Sequence, residues 1–267
     1  MSGDAAAQTA GPATAWYVYG VVPAGTPAAA GARTGIASER VELVVEGDVA
    51  ALAGRVPLDE FGEEPLRERL NDRSWLERAA QAHEEVLEAA LAGSAVVPFR
   101  LATLYESEGR LREFLAERGP ELAEILRRLD GKVELGVKAF FDRAQFVHAS
   151  ARSDEPASGR AYLVQRQLER KLDEEAAAFA AECAAASHDR IAAAAEGARR
   201  NPPQPPELSG RKEPMLLNGA YLVGRGERAV HDAKAELEER YGPHGVSYEL
   251  TGPWPPYNFV PRGLVEP

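Results

Sequence analysis

The chain has 267 residues, 45% of them hydrophobic and 27% charged, and a formal net charge of −11. That length favours two domains over one large α/β domain. The acidic balance argues against a general phosphate-binding surface, the single Cys183 excludes an internal disulfide and fits a reducing cytoplasm, and no apolar run approaches the ~18 residues that span a bilayer.

Residues 1–14 are rich in Ala, Gly and Thr, carry neither a basic nor an apolar leader segment, and are expected to be disordered. "AWYVYGVV" (15–22) is aromatic and β-branched and stops at Pro23, which predicts a buried strand, with a loop over 22–35. "RVELVVEGDVAALAGRVP" (40–57) predicts a strand at 41–46, a Gly47-Asp48 turn and a second strand before Pro57. In "NDRSWLERAAQAHEEVLEAALAG" (71–93) a helix opens at a cap on Asn71 or Asp72, or at a capping box of Ser74 with Glu77. Its apolar stripe runs through Leu76, Ala79/Ala80, His83, Val86/Leu87 and Leu91 and ends at Gly93. "SAVVPFRLATLY" (94–105) reads as extended, with Pro98 placing it at a sheet edge or bulge. Glu106 to Leu129 reads as helical, broken into two pieces by Gly119-Pro120.

"GKVELGVKAFFD" (131–142) alternates Val133, Leu135 and Val137 with Lys132, Glu134 and Lys138, the pattern of a half-buried strand. A polar loop leads to the Ala-rich stretch 159–200, one very long helix or two, with Leu168, Leu172, Phe179 and Cys183 on one stripe. "NPPQPPELSGRKEP" (201–214) reads as a stiff linker, 215–224 as a strand, 226–242 as a helix stopped by Gly242-Pro243, and 245–250 as a final strand. The expected fold class is α+β: an N-terminal domain over 15–130, a ferredoxin-like C-terminal domain over 131–260 with an extended Ala-rich helix, and a tail at 261–267.

Chemistry is thinly signalled, for the phosphate-loop, HExxH, CxxC and GxSxG patterns are all missing. "VGRGER" reads as a strand-to-helix turn rather than an anion cradle. His83 lies on an apolar helical stripe, where a hydrogen-bonded core histidine is the expected role, and Cys183 reads as a small buried hydrophobe. The adjacent His231 and Asp232 face different directions on a helix, and Glu84-Glu85 reads as part of a solvated face. Arg100, inside the apolar "PFRLATLY", must find a partner, either an internal carboxylate or that of a ligand. No cofactor, metal or catalytic group is expected.

Near the C-terminus "TGPWPPYNFV" (251–260) crowds three rings among prolines. One reading is a clasp, in which Trp254, Tyr257 and Phe259 cover a core while Pro256 and its neighbours fix their direction. The other is an exposed surface for a partner.

Together these stretches resemble the gas vesicle GvpL/GvpF family. "WYVYGVV", "HEEVLEAAL" leading to "VVPFRLATLYES", "VELGVKAFFD", "LNGAYLV" and "TGPWPPYNFV" occur in that family's order over about residues 15–260, and "TGPWPPYNF" is the most specific of them. Leu101-Ala102 stands where the family often has Phe-Gly, and Leu135 where Trp is common. The resemblance implies a non-enzymatic accessory protein of gas vesicle formation in the cytoplasm, with two α+β domains, the second ferredoxin-like. It also implies association with the shell protein GvpA and other accessory Gvp proteins, and neither nucleic acid nor membrane insertion. The Ala-rich helix is one candidate surface for such partners. The alternative function is a small-molecule-binding regulatory module built on a ferredoxin-like domain.

Overall fold

A computed structural model describes residues 13–27, 33–150, 161–261 and 263–264. Most of the expected disordered tail, residues 1–12, lies outside the described residues. Contacts divide the chain into two compact units, one running to Gly131 and resuming at Pro255, the other comprising Lys132–Trp254. The expected second domain continued to residue 260, whereas Pro255 onwards belongs with the first unit.

The first unit contains β1 (Thr14–Pro23), β2 (Glu42–Glu46), β3 (Val49–Pro57), α1 (Leu58–Phe61), α2 (Glu63–Arg69), α3 (Arg73–Leu91), β4 (Val97–Pro98), β5 (Leu104–Tyr105) and α4 (Glu108–Leu129). Its antiparallel sheet runs β2-β3-β1-β4, with β5 also pairing with β1. Every residue of β1 from Ala15 to Val22 is buried, so the strand is covered on both faces, and α3 and α4 both pack against it. The register slips between Val18 and Gly20, which leaves Tyr19 as an extra residue in a bulge. Gly20 is required there, since a Cβ would sit 2.7 Å from the Val97 carbonyl oxygen. Gly47 makes the β2–β3 turn at a φ of +57°.

Asp72 is the cap that opens α3, accepting hydrogen bonds from the Ser74 and Trp75 amides. The expected break at Gly119-Pro120 does not occur, because α4 runs through Pro120 as one helix. Proline removes one helical hydrogen bond, but Leu111, Leu115, Leu122, Ile125, Leu126 and Leu129 are buried on both sides of it and hold the two halves in line.

The second unit contains β6 (Lys132–Phe141), α5 (Arg143–Ser150), α6 (Ala161–Ala192), β7 (Gly197–Arg200), α7 (Pro206–Ser209), β8 (Met215–Gly224), α8 (Ala229–Tyr241) and β9 (Val246–Trp254). Its sheet is antiparallel throughout in the order β7-β8-β6-β9. Helices α6 and α8 pack on each other and on this sheet, where Phe179 of α6 meets Phe141 of β6 at 5.9 Å and Tyr241 of α8 at 6.0 Å between ring centroids.

Four local expectations change in this unit. The described part of the polar loop forms α5, opened by the Asp142 carboxylate accepting from the Ala144 and Gln145 amides. The Ala-rich stretch is a single helix only to Ala192, and its end, Gly197–Arg200, pairs with β8 as a strand. Leu168 is 56% exposed and so leaves the expected apolar stripe. The Pro-rich segment 201–214 carries one helical turn and is fastened by Arg211, which stacks 4.7 Å over the Phe140 ring and donates to Glu249 and Ser247. Among the described residues no helix is long and apolar enough to cross a membrane.

Candidate functional site

The sequence candidates divide between a buried polar chain in the first unit and the C-terminal segment. Tyr17 on β1 donates its hydroxyl to His83 Nδ1 at 2.9 Å, and the Ala102 amide donates to that same hydroxyl at 3.1 Å. On its other side, His83 Nε2 lies 3.1 Å from the Phe99 carbonyl oxygen, which can only accept, so Nε2 carries a proton and, with burial keeping the ring neutral, Nδ1 is the acceptor. Burial of His83 pushes its pKa down to about 4, against the milder opposing effect of that carbonyl. His83 is thus a core histidine with both ring nitrogens engaged. Burial likewise drives the Tyr17 and Tyr19 hydroxyls far above their ordinary range. Tyr19 donates to Glu39 and accepts from the Ile36 amide, so it fastens the segment before β2.

These bonds tie α3, β1 and the loop between β4 and β5 together. Ala102 in that loop has a φ of +68°, a left-handed conformation that costs a residue with a Cβ about 1 kcal/mol. Arg100, expected inside an apolar strand, is exposed on the loop between β4 and β5.

The C-terminal rings separate. Trp254 ends β9 and is 37% exposed, while Pro255 and Pro256 are buried. Tyr257 is half-buried and donates its hydroxyl to Glu84 at 2.6 Å, and the Phe259 carbonyl accepts from Arg128 of α4 at 2.8 Å. Tyr257 and the Phe259 carbonyl are thus bonded to α3 and α4 within the first unit, while Trp254 closes β9 of the second. Glu84, expected on a solvated face, is partly buried, and its Oε2 has no hydrogen-bond partner. Burial raises its pKa, opposed by the bond from Tyr257. Its position directly after His83 on the inward stripe was the available signal.

In the second unit Ser187 and Tyr248 share a hydrogen bond of 2.6 Å, and Cys183 lies 3.5 Å from the Tyr248 hydroxyl. Burial raises the Tyr248 pKa, and Cys183 and Ser187 are fully enclosed. A neutral phenol, an alcohol and a buried thiol fasten α6 to β9 but offer no accessible nucleophile. Nothing in the sequence joins Ser187 to Tyr248, which lie 61 residues apart. Among the described residues no group of three or more His, Cys, Asp or Glu could hold a metal ion.

Residues 15–261 match the family described as gas vesicle synthesis protein GvpL/GvpF. The chain is 35% identical to gas vesicle protein L of Streptomyces sp. (strain CB03234) over 94% of its own length and 93% of the relative's. It is 30% identical to gas vesicle protein F of the same strain, covering 91% and 98% of the two chains. The fold is similar to the crystal structure of GvpF from Anabaena sp. PCC7120, with a TM-score of 0.68 at 19% identity over 92% of this chain and 95% of that one. GvpF from Microcystis aeruginosa gives a TM-score of 0.64 at 18% identity, over 92% and 98%.

Proposed function

Because the chain belongs to the gas vesicle synthesis protein GvpL/GvpF family and so has a role in gas vesicle formation, we propose that it is a non-catalytic accessory protein. In this reading it binds the hydrophobic shell protein GvpA and other accessory Gvp proteins, and aids nucleation or assembly at the gas vesicle. The observation that carries the reading is a family match spanning both units rather than one of them. The most perturbed side chains support a non-catalytic role, because His83, Tyr17, Tyr19 and Tyr248 each spend their polar atoms on internal partners.

We further read the chain as two domains, the second ferredoxin-like with an extended Ala-rich helix. Support comes from the succession β6-α6-β7-β8-α8-β9, apart from the short α5 and α7, and from the strand order β7-β8-β6-β9. A shell protein that polymerises through apolar surface must be held back from indiscriminate aggregation until it reaches a growing edge. A soluble partner supplies that restraint by pairing an edge strand or receiving a helix. Strand β9 is such an edge, and the exposed Trp254 at its end suits an interface.

The test is co-expression of the tagged full-length chain with GvpA and the accessory proteins. GvpA is expected to co-purify, and deletion of the chain is expected to abolish vesicles. Failure of every Gvp protein to co-purify would overturn the binding reading.

A further inference from the structure

The Gly119-Pro120 pair sits in the middle of α4, where glycine costs about 1 kcal/mol and proline about 3 kcal/mol relative to alanine. Internal packing does not demand the glycine, since a Cβ there would meet only Val49 Cγ2 at an ordinary 3.7 Å. Proline also leaves the Ala116 carbonyl without its usual helical donor. A local cost that the fold does not require points to the surface it creates.

That surface is a groove along α4. A cavity of about 350 Å³ is lined by Leu115, Ala116, Gly119 and Pro120 together with Glu46, Gly47 and Asp48 of the β2–β3 turn. A second, of about 400 Å³, shares Asp48 with the first and is otherwise lined by Pro23, Ala95, Ala123, Leu126, Arg127 and Asp130. From Leu115 to Leu126 the helix rises roughly 16 Å, the length of about three turns of a second helix. The rim is acidic in effect. Arg127 is engaged by Glu124 and Glu46 by Arg112, whereas Asp48 and Asp130 enter no ion pair among the described residues.

We propose that this groove is a docking site for a cationic amphipathic helix of a partner protein, which places apolar side chains on Pro120 and Ala123 and a Lys or Arg beside Asp48. Charge complementarity selects this occupant. A second copy of a chain carrying a net charge of −11 brings the wrong sign, and a small ligand would leave one of the two cavities unfilled. The inference rests on the accessory role only for which protein supplies the helix.

Two folded full-length variants test it, Ala123→Trp, which fills the groove, and the double charge reversal Asp48→Lys with Asp130→Lys. Circular dichroism and thermal melts confirm that each keeps its fold. The probe is a synthetic Lys/Leu amphipathic helix, with a Glu/Leu helix of the same pattern as control. Wild type is expected to bind the Lys/Leu helix in a salt-sensitive manner, and each variant to bind it at least about tenfold more weakly. Undiminished binding by folded Ala123→Trp would reduce the effect to general acidity and overturn the proposal. So would self-association of wild type that the variants abolish, since the occupant would then be a second copy. Retention of GvpA by wild type without Lys/Leu binding overturns this inference alone. Groove-dependent Lys/Leu binding without any Gvp partner overturns the accessory reading and leaves the groove standing.

Discussion

The central strands of the two units are stabilised differently. β1 is buried without interruption, and its tyrosines reach sideways to fix loops: Tyr17 binds His83 and Ala102, and Tyr19 binds Glu39. β6 leaves Lys132, Gly136 and Lys138 half-buried, and its unit is held by the ring cluster of Phe141, Phe146, Phe179 and Tyr241. Ring packing is spread over many contacts, so losing one is tolerable. A buried polar chain depends on every member, because removing one strands its neighbours. Substitutions in the first unit's polar chain should therefore cost more than comparable ones at the Ser187–Tyr248 pair of the second.

The largest effect is expected at His83→Ala, which opens a cavity and removes the partner of the Tyr17 hydroxyl proton and of the Phe99 carbonyl. The Tyr17 hydroxyl keeps its bond from the Ala102 amide, and we expect a loss of about 3–4 kcal/mol in urea unfolding. A loss below about 1 kcal/mol would erase the contrast between the units.

Next comes acid sensitivity. His83 has its pKa depressed from 6.5 to about 4 in the fold, so between those values the unfolded chain binds more protons. Its contribution, roughly 3 kcal/mol by linkage, is fully present above pH 6.5 and is lost as pH falls toward 4. Glu84, whose pKa is raised, acts oppositely: its contribution is full at low pH and is lost as pH rises through its folded value. Melting curves between these limits should therefore show stability falling with acid, and His83→Phe should flatten the slope. An unchanged slope in that variant would remove His83 as the cause.

Tyr248→Phe probes the second unit. It removes the Tyr248 hydroxyl from both Ser187 and Cys183, which still contact each other, and should cost about 1–2 kcal/mol with activity in assembly retained. A smaller and opposite change is expected at Ala102→Gly in the first unit. Relief of the positive φ should raise stability by about 0.5–1 kcal/mol, measurable as a higher melting temperature.

The sequence made these regions legible to different degrees. Runs such as "WYVYGVV" and the stripe through His83 announced the buried strand and α3, because β-branched, aromatic and helical periodicities are local properties. Ala102 stands where the family often has glycine, and its positive φ gives that preference a physical cause. Other features depended on partners distant in sequence. Gly197–Arg200 has no strand composition, yet it pairs with β8 because the sheet offers it an edge. The proline in α4 looked like a break until the buried leucines on either side outweighed it. Arg100 lies on a loop that its apolar flanks, Phe99 and Leu101, disguise as strand. The polar pairings Tyr17–His83 and Ser187–Tyr248 bring together residues far apart in the chain and leave no local signature.

The smallest stability change is expected at Trp254→Ala, and it separates the two readings of the C-terminal rings. Trp254 is 37% exposed at the end of β9, so its removal should alter unfolding by no more than about 0.5 kcal/mol. Tyr257→Phe should cost somewhat more, because it removes the hydrogen bond that the Glu84 carboxylate accepts. If both variants fold but only Trp254→Ala fails to support vesicle assembly, Tyr257 serves the clasp and Trp254 an interface. If Trp254→Ala instead unfolds the protein, its exposed ring is structural and the partner surface must be sought elsewhere, with the α4 groove as the next place to look.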